Sequence, residues 1–351
     1  MLSEAKELHS SNLPELLSRL KCSVVFSTYQ AGQLISLGQC NGALSFGFTS
    51  FQQAMGVTRT PTGLALASKH EIWQLPGQTE IAAHIKPQGS HDIAFLTRSC
   101  HITGPVMAHE LAWCSGQLLF VNTLCNCLAT LESPWSFVPG WKPPFMETTA
   151  PGDCCHLNGV AIAGDGSEPA YVTMHGISSK EAGWREHKAS GGAVMDVKTG
   201  EVLCNGLSMP HSPRLHRGEL YVLNSGKGQV LKVDRGNGEI EVVCELPGFT
   251  RGMDMIGDTA VIGLSRIRES AVFGGLPLQE KDEPLCCGLA FVDLSKGELI
   301  GFCWFESGIE ELFSVCLIPG FSNPAIIGMK AKANENDKDE SRQTIWAIPP
   351  P

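Results

Sequence analysis

The sequence lacks several features that would place the protein in a membrane or on nucleic acid. No apolar run approaches the roughly 20 residues needed to cross a bilayer, and the first 20 residues do not resemble a signal peptide. Basic residues are few, since 26 Lys and Arg stand against 36 Asp and Glu, giving a net charge of −10. This balance argues against nucleic acid and anionic membranes as partners. We expect a cytoplasmic protein that binds a small molecule or another, unidentified protein.

Paired metal-binding cysteines and common catalytic motifs are also missing. The 14 cysteines are scattered, and none forms the CxxC…CxxC spacing of a structural zinc site. With no export signal, we expect reduced and mostly buried thiols. The chain has no phosphate-binding Gly-x-x-x-x-Gly-Lys loop, no His-Glu-x-x-His and no Gly-x-Ser-x-Gly elbow. Its function must therefore be sought in its architecture.

One hairpin pattern occurs three times. Residues 193–201, 231–239 and 290–298 each read as an apolar strand, Asp-x-x-x-Gly-Glu and a return strand. Aspartate bonds the turn backbone and glycine takes the positive φ. Weaker copies occur at 34–46, 72–82 and 127–138. Recurrence about every 40 to 60 residues is typical of a β-propeller.

A second repeat gives the same number of blades. It consists of a short strand, a turn and an apolar return strand, and its six copies begin at Met55, His109, His156, His211, Arg251 and Leu312. The last copy, with its return strand predicted at 325–327, has no outer hairpin after it. The first outer hairpin, 34–46, has no inner pair before it. The sequence therefore predicts an all-β, six-bladed β-propeller whose N- and C-terminal strands share one blade.

Three regions follow from this count. Residues 1–20 are predicted to form a helical N-terminal extension, residues 21–329 the propeller and residues 330–351 a charged, partly disordered tail. Segments outside the blade period are expected to be surface loops, at 132–155, 177–192 and 265–287.

Histidines begin three successive inner strands. Blades are related by rotation, so His109, His156 and His211 are expected to converge at one mouth of the channel. Neutral imidazole ligates zinc, iron and copper, so we predict a divalent metal there, with calcium as a further identity. Glu110 or Asp254 would act as the base on metal-bound water. The competing interpretation is that such histidines tie neighbouring blades together; the other histidines, His175 among them, lack this registration.

Arginines form a second candidate group. Arg214 and Arg251 lie one blade apart at the same phase, and Arg185, Arg266 and Arg268 lie in the loops. In an acidic protein, arginines at one mouth predict a small anionic ligand, with Asn158 beside it. A ring of salt bridges explains the same arginines equally well. Trp135, Trp141 and Trp184 either close over the ligand or pack their own loops.

Several longer strings resemble a bacterial family of propeller proteins classed as a domain of unknown function. They span about residues 13–328 and include Cys155-His156-Leu157-Asn158-Gly159, Met209-Pro210-His211-Ser212-Pro213-Arg214, Pro247-Gly248-Phe249-Thr250-Arg251-Gly252 and Gly263-Leu264-Ser265-Arg266-Ile267-Arg268-Glu269. The resemblance implies a six-bladed propeller related in outline to gluconolactonase-like enzymes. It brings no settled activity. Two positions depart from the family pattern, since Glu110 stands where aspartate is usual and Cys154 where arginine is usual.

These observations lead to two functional hypotheses. The first is a metal-assisted enzyme, a lactonase-like hydrolase or an oxidoreductase, that acts on a small anionic substrate at the channel mouth. The second is a propeller that binds a ligand or a protein without catalysis.

Overall fold

The computed structural model describes residues 6–267, 274–280 and 283–329, and its strands form six sheets. Each sheet is one blade, as the repeats predict, so the all-β propeller is confirmed. Predictions for Arg268 and for the tail 330–351 lie outside the described residues.

Four blades, which we call blades 3 to 6, follow the chain in order from the channel outward. Blade 3 contains β10 (Ala108–Cys114), β11 (Gln117–Asn122), β12 (Cys127–Thr130) and β13 (Val138–Pro139). Blade 4 contains β14 (Leu157–Ile162), β15 (Pro169–Met174), β16 (Gly192–Asp196) and β17 (Val202–Leu207). Blade 5 contains β18 (Pro210–His216), β19 (Glu219–Asn224), β20 (Gln229–Val233) and β21 (Ile240–Glu245). Blade 6 contains β22 (Phe249–Ile256), β23 (Thr259–Ser265), β24 (Gly288–Asp293) and β25 (Glu298–Phe305), with β1 (Glu7–His9) added at its outer edge.

Blade 1 joins the two ends of the described chain. Its strands are β26 (Ser314–Pro319), β2 (Cys22–Thr28), β3 (Gln33–Cys40) and β4 (Ala43–Ser50), in that order from the channel. Because β26 pairs antiparallel with β2, the ring closes through strands from opposite ends of the chain. The predicted closure is confirmed.

Blade 2 departs from the repeat. It contains β5 (Val57–Thr60), β6 (Gly63–Ala67), β7 (Glu71–Gln78), β8 (Ile93–Leu96), β9 (Ser99–Ile102) and β27 (Pro324–Ile327). The hairpin predicted at 72–82 is wrong, because β7 continues through Pro76-Gly77, where its turn was expected, and pairs with both β8 and β9. The prediction that 325–327 returns against 312–315 is also wrong, because β27 pairs in parallel with β8.

The repeated hairpins have the turn chemistry expected of them. The Asp196 carboxylate accepts a hydrogen bond from the Thr199 N–H (2.8 Å), and Gly200 has φ 72°. Asp234 accepts from the Gly236 and Asn237 N–H groups. These turns connect the two outer strands of blades 4 and 5, far from the channel.

The helical segments are short. Helix α1 (Leu13–Leu20) buries Leu13, Leu16 and Leu17 in the apolar cluster shared by blades 1 and 6, so it covers the seam between them. The other helical elements are α2 (Thr79–Ala82) and 3₁₀ turns at Gly183–His187, Ser225–Lys227 and Pro277–Glu280. In the described residues, no helix has the length and apolar character needed to cross a membrane.

Candidate functional site

One central cavity of about 630 Å³ opens at the head of the inner strands. The structure brings together one residue from each blade at this level, which we call the upper layer: Phe313, Met55, His109, His156, His211 and Arg251. The inner strands β10, β14, β18 and β22 each carry a register shift close to this point. Because the backbone bulges at the equivalent position of each of these strands, the side chains there enter the channel at the same level.

The three histidines of the upper layer share one tautomer. His109 Nδ1 lies 2.9 Å from the Met107 carbonyl oxygen, and His211 Nδ1 lies 3.0 Å from that of Met209. His156 Nδ1 lies 2.8 Å from Asp153 Oδ1. Carbonyl and carboxylate oxygens only accept, so each Nδ1 carries the proton and each neutral ring has an unprotonated Nε2.

Positive φ angles produce two of these contacts. Met107 (φ 53°) and Met209 (φ 46°) each lie two residues before a histidine. Both have a left-handed conformation that is unusual for methionine, and in both the carbonyl oxygen reaches the Nδ1 atom of the following histidine. The same device thus fixes the ring in blades 3 and 5.

Burial keeps two of these rings neutral. It lowers the pKa of His109 well below the ordinary value of 6.5, and the neighbouring His156 and Arg251 lower it further. Burial also lowers the pKa of His211, with Arg251 adding the next largest effect. Neutral imidazoles with an unprotonated Nε2 are competent bases and hydrogen-bond acceptors.

A fourth histidine, His175, lies between two of the three. Its ring is 4.4 Å from that of His156, nearly parallel, and 4.8 Å from that of His211. His175 does not begin an inner strand, in agreement with its lack of registration in the sequence; it follows β15, the second strand of blade 4, and still lines the cavity. Among the described residues, neither of its buried ring nitrogens has a hydrogen-bond partner. Burial, and then the nearby imidazoles, lower its pKa well below 6.5.

Asp153 holds His156 in place. Besides accepting from His156 Nδ1, its Oδ2 accepts from the indole N–H of Trp184 at 3.1 Å. Trp184 is 2% exposed, and its ring lies 4.4 Å from that of His156. The carboxylate and the indole therefore fix the orientation of this imidazole from two sides.

Cationic side chains outnumber anionic ones around the cavity. Its lining includes Lys69, Arg185, Arg251 and Arg266 against Asp153 and Glu311. Arg266 is paired by Glu310, which lies outside the lining, at 3.1 Å. If this pair is counted as neutral, one net positive charge remains on the wall of a protein whose net charge is −10.

Arg251 is the most deeply placed of these cations. Burial lowers its pKa to about 10, against the opposing effect of Glu311, whose carboxylate is 3.7 Å away. Its guanidinium carbon lies 3.5 Å from the centroid of the Phe313 ring, which is itself stacked on Tyr29. Arg251 is still charged at neutral pH and lies against the face of the Phe313 ring.

The other cations have different surroundings. Arg185 lies with its guanidinium carbon 5.2 Å from the Trp184 ring centroid. Among the described residues, neither Arg185 nor Lys69 lies within ion-pair distance of a carboxylate that would neutralise it. These two side chains are available to an anion entering the mouth.

Glu110, Asn158, Asp254 and Arg214, which the sequence predicts for the site, lie below the upper layer. The next level of the channel, which we call the lower layer, contains Gly56, Glu110, Asn158, Ser212, Gly252 and Ser314. Only about 10 Å³ of space separates it from the upper layer. Glu110 forms an ion pair with Arg214 and accepts from the Val160 N–H at 3.1 Å, so it ties blades 3, 4 and 5 together.

Asp254 and Asn158 also bond to other residues of the protein. Asp254 Oδ2 lies 3.4 Å from Arg59 and accepts from the Leu317 N–H at 2.8 Å. Asn158 accepts from the Thr173 hydroxyl at 2.7 Å. The structure thus leaves Glu110, Asp254, Asn158 and Arg214 out of the wall of the large cavity and bonds each of them within the protein.

The predicted metal group does not appear as a set of ligands. No three or more His, Cys, Asp or Glu side chains are arranged to hold a metal ion within residues 6–267, 274–280 and 283–329. The tautomer of His109, His156 and His211 has a bonded Nδ1–H and, in a neutral ring, an unprotonated Nε2. It is nevertheless the tautomer in which histidine ligates metals.

The tryptophans of the loops have separate roles. Trp184 lines the cavity, whereas Trp141 packs against the core shared by blades 3 and 4. Trp135 is 63% exposed, and its carbonyl contacts His101 at the outer edge of blade 2. Of the three, only Trp184 lies at the site.

Residues 11–327 match the family described as "Domain of unknown function (DUF4915)", and the chain belongs to this family. No curated protein matches the sequence. Among solved structures, a chain of a nidogen/laminin complex is similar, with 7% identity and a TM-score of 0.50 over 85% of this chain and 99% of that one. This likeness shows the fold.

Two lyases give weaker matches. Virginiamycin B lyase from Staphylococcus aureus is 12% identical, with a TM-score of 0.40 over 69% of this chain and 73% of that one. A streptogramin B lyase is 13% identical, with a TM-score of 0.40 over 69% and 87%.

Proposed function

We propose that this propeller is an enzyme that binds a small anionic molecule in its central cavity and transfers a proton through His156. The observation that carries the proposal is the Asp153–His156 pair. A carboxylate bonded to Nδ1 fixes the tautomer and stabilises the imidazolium that forms when Nε2 takes a proton. Trp184 locks the carboxylate, and the cavity opens beside the ring.

The charge of the cavity supports an anionic substrate. Arg185 and Lys69 are uncompensated among the described residues, and Arg251 lies deeper, against Phe313. Guanidinium groups bind carboxylates and phosphates through paired N–H donors. We assign Arg251 and Arg185 to holding the substrate anion.

The chemistry begins with proton transfer to His156 Nε2. The proton comes either from the substrate or from a water molecule that attacks it, as in the hydrolysis of an ester or lactone. In both cases negative charge develops on the substrate, where Arg251 stabilises it. The protonated ring then returns the proton to the leaving group, so acid and base are one residue.

A turnover screen with a matched pair of variants tests this proposal. The wild type, His156→Gln and the surface control His216→Gln are compared on esters, lactones and hydroxy acids. We expect turnover in the wild type and the control, and a loss of about 10²- to 10⁴-fold in His156→Gln. Asp153→Asn should reduce kcat with a smaller change in KM, because it disturbs orientation and not binding.

Two results would contradict the proposal. Turnover that survives His156→Gln would place the chemistry elsewhere. Binding of an anion with no turnover on any substrate would favour the non-catalytic alternative, a propeller that only recognises its ligand.

A divalent metal held by His109, His156 and His211 is the second candidate. The bonded Nδ1–H groups favour it, because in each neutral ring they leave Nε2 free to ligate a metal. In this reading His156 is a ligand and not a base. Stoichiometric metal in purified wild-type protein, lost in His156→Ala and His211→Ala, would replace the acid–base proposal with this one. Metal content unaffected by either substitution would remove it.

A further inference from the structure

We infer that the molecule bound in the cavity carries hydroxyl groups beside its negative charge, and that these groups donate hydrogen bonds to the Nε2 atoms of His109, His156 and His211. The inference deepens the proposed function. It takes from that function only the negative charge of the ligand. It does not depend on any catalytic step.

The first argument is that the three rings face the ligand as acceptors. At His109, both neighbours of Nδ1 are acceptors. The Met107 carbonyl is 2.9 Å away, and Thr123 Oγ1, also at 2.9 Å, already donates its own proton to the Leu157 carbonyl. Nδ1 must therefore carry the hydrogen, and Nε2 has only a lone pair to offer.

Blades 4 and 5 repeat the arrangement. His211 Nδ1 lies 3.0 Å from the Met209 carbonyl and 2.9 Å from the Ser225 hydroxyl, while His156 donates to Asp153. Ser225 follows β19 as Thr123 follows β11, so two blades use the same support. Among the described residues, both ring nitrogens of His175 are buried without a hydrogen-bond partner. No ring nitrogen of His109, His156 or His211 is in that situation. Three acceptors thus line one half of the ring.

The second argument concerns which donor fits these acceptors. An ammonium group would add positive charge to a wall where cationic side chains already exceed anionic ones. A hydroxyl group donates without charge, so it is the better complement. A ligand without such donors would cover the Nε2 atoms and leave them unpaired, which a site built for hydrogen bonding rejects.

The third argument concerns the opposite half of the ring. Phe313 and Met55 come from the two blades that continue the ring beyond His109. The Phe313 ring lies 5.2 Å from that of His109, and Tyr29 stacks on Phe313 with 5.8 Å between ring centroids. This half offers apolar and aromatic contact. The expected ligand is therefore a hydroxylated anion with one apolar flank.

Nitrogen-15 NMR of the histidine rings tests the acceptor wall without any ligand. At neutral pH we expect the signals of His109 and His211, assigned through His109→Phe and His211→Phe, to show protonated Nδ1 and unprotonated Nε2. The Nε2–H tautomer at these residues would turn the wall into donors and overturn the inference. This outcome would leave the anionic ligand of the proposed function untouched.

Matched acids test the ligand class. Calorimetry compares 3-phenyllactate with 3-phenylpropanoate, which lacks only the hydroxyl group, and glycerate with propanoate. One neutral hydrogen bond corresponds to about a three- to tenfold tighter Kd for the hydroxylated acid of each pair. The preference should disappear in at least one of His109→Phe, His156→Phe and His211→Phe, and persist in His216→Phe.

The failures of the two proposals have different signatures. Equal binding of hydroxylated and plain acids, weakened by Arg251→Gln, would overturn the hydroxyl inference and support the anion site. Failure of every acid to bind at about 10 mM would contradict the anion site, and with it this inference.

Discussion

The upper and lower layers of the channel are built from neighbouring positions of the same inner strands, yet they treat polar groups in opposite ways. In the lower layer, Glu110 is bonded to Arg214 and Val160, and Asn158 to Thr173. In the upper layer, His109, His156 and His211 are bonded through Nδ1 alone within residues 6–267, 274–280 and 283–329. The lower layer forms its hydrogen bonds within the protein, whereas the upper layer leaves one nitrogen of each imidazole without a partner in the part of the chain that the structure describes.

The packing of the two layers differs in the same sense. Gly252 has φ +77°, and a Cβ there would come within 2.9 Å of Ser314 Cα and 2.7 Å of Val315 N. The lower layer therefore has no room for a side chain at Gly252, whereas the upper layer borders the 630 Å³ cavity. Under the proposed function, the lower layer stabilises the ring and the upper layer contacts the ligand. Three predictions test this division.

The largest effect is expected from Glu110→Ala, in the lower layer. The substitution leaves Arg214 without its ion-pair partner in the channel and removes the acceptor of the Val160 N–H. Breaking a buried pair on one side costs about 3 to 5 kcal/mol. Urea unfolding of the purified variant measures the loss, which Glu110→Leu with Arg214→Leu should partly restore. A loss below about 1 kcal/mol would show that the lower layer does not tie the blades.

The next effect is a dependence on pH that comes from two histidines of the upper layer and from His175 beside them. The folded pKa values of His109, His175 and His211 lie below 6.5, mainly because the rings are buried. As the pH falls below 6.5, the unfolded chain binds protons that the folded protein does not. The free energy of unfolding therefore falls, and its limiting slope is about 1.4 kcal/mol per pH unit for each ring, or about 4 kcal/mol per pH unit for three.

Urea unfolding at about pH 7.0 and about pH 5.5 measures this loss. His211→Phe should reduce the slope by about a third, and His216→Phe should leave it unchanged. Burial raises the pKa of Glu110, which gives a slope of opposite sign, but this contribution is common to all three proteins. Equal slopes for the wild type and His211→Phe would show that His211 is not kept neutral by the fold.

The division also explains what could be predicted from the sequence. The hairpin turns at Asp196 and Asp234 are local, so their spacing revealed the blades. The phase of His109, His156 and His211 followed from the blade register. Pairing of β27 with β8 joins residues about 230 apart, and no local pattern marks it.

The contacts within each layer were harder to predict. The bulges of the inner strands decide which side chains enter the cavity, and they send Glu110 downward while His109 faces the cavity. His175 was missed because it follows a second strand, where the equivalent residues are Thr123 and Ser225. Aligning the ends of β11, β15 and β19 would have placed it beside the three histidines.

The smallest effect is expected from His175→Phe, which tests whether the unpaired imidazole packed beside the upper layer lowers the stability of the fold. Among the described residues the two buried nitrogens of His175 have no partner, and leaving a buried polar group unpaired costs about 1 to 3 kcal/mol. Phenylalanine keeps a flat ring against His156, His211 and Trp184. We therefore expect His175→Phe to raise the free energy of unfolding at neutral pH by about 1 kcal/mol, whereas His175→Ala lowers it by opening a cavity. If His175→Phe instead destabilises the protein, the nitrogens of His175 support the fold, and the contrast between the layers does not extend to this residue.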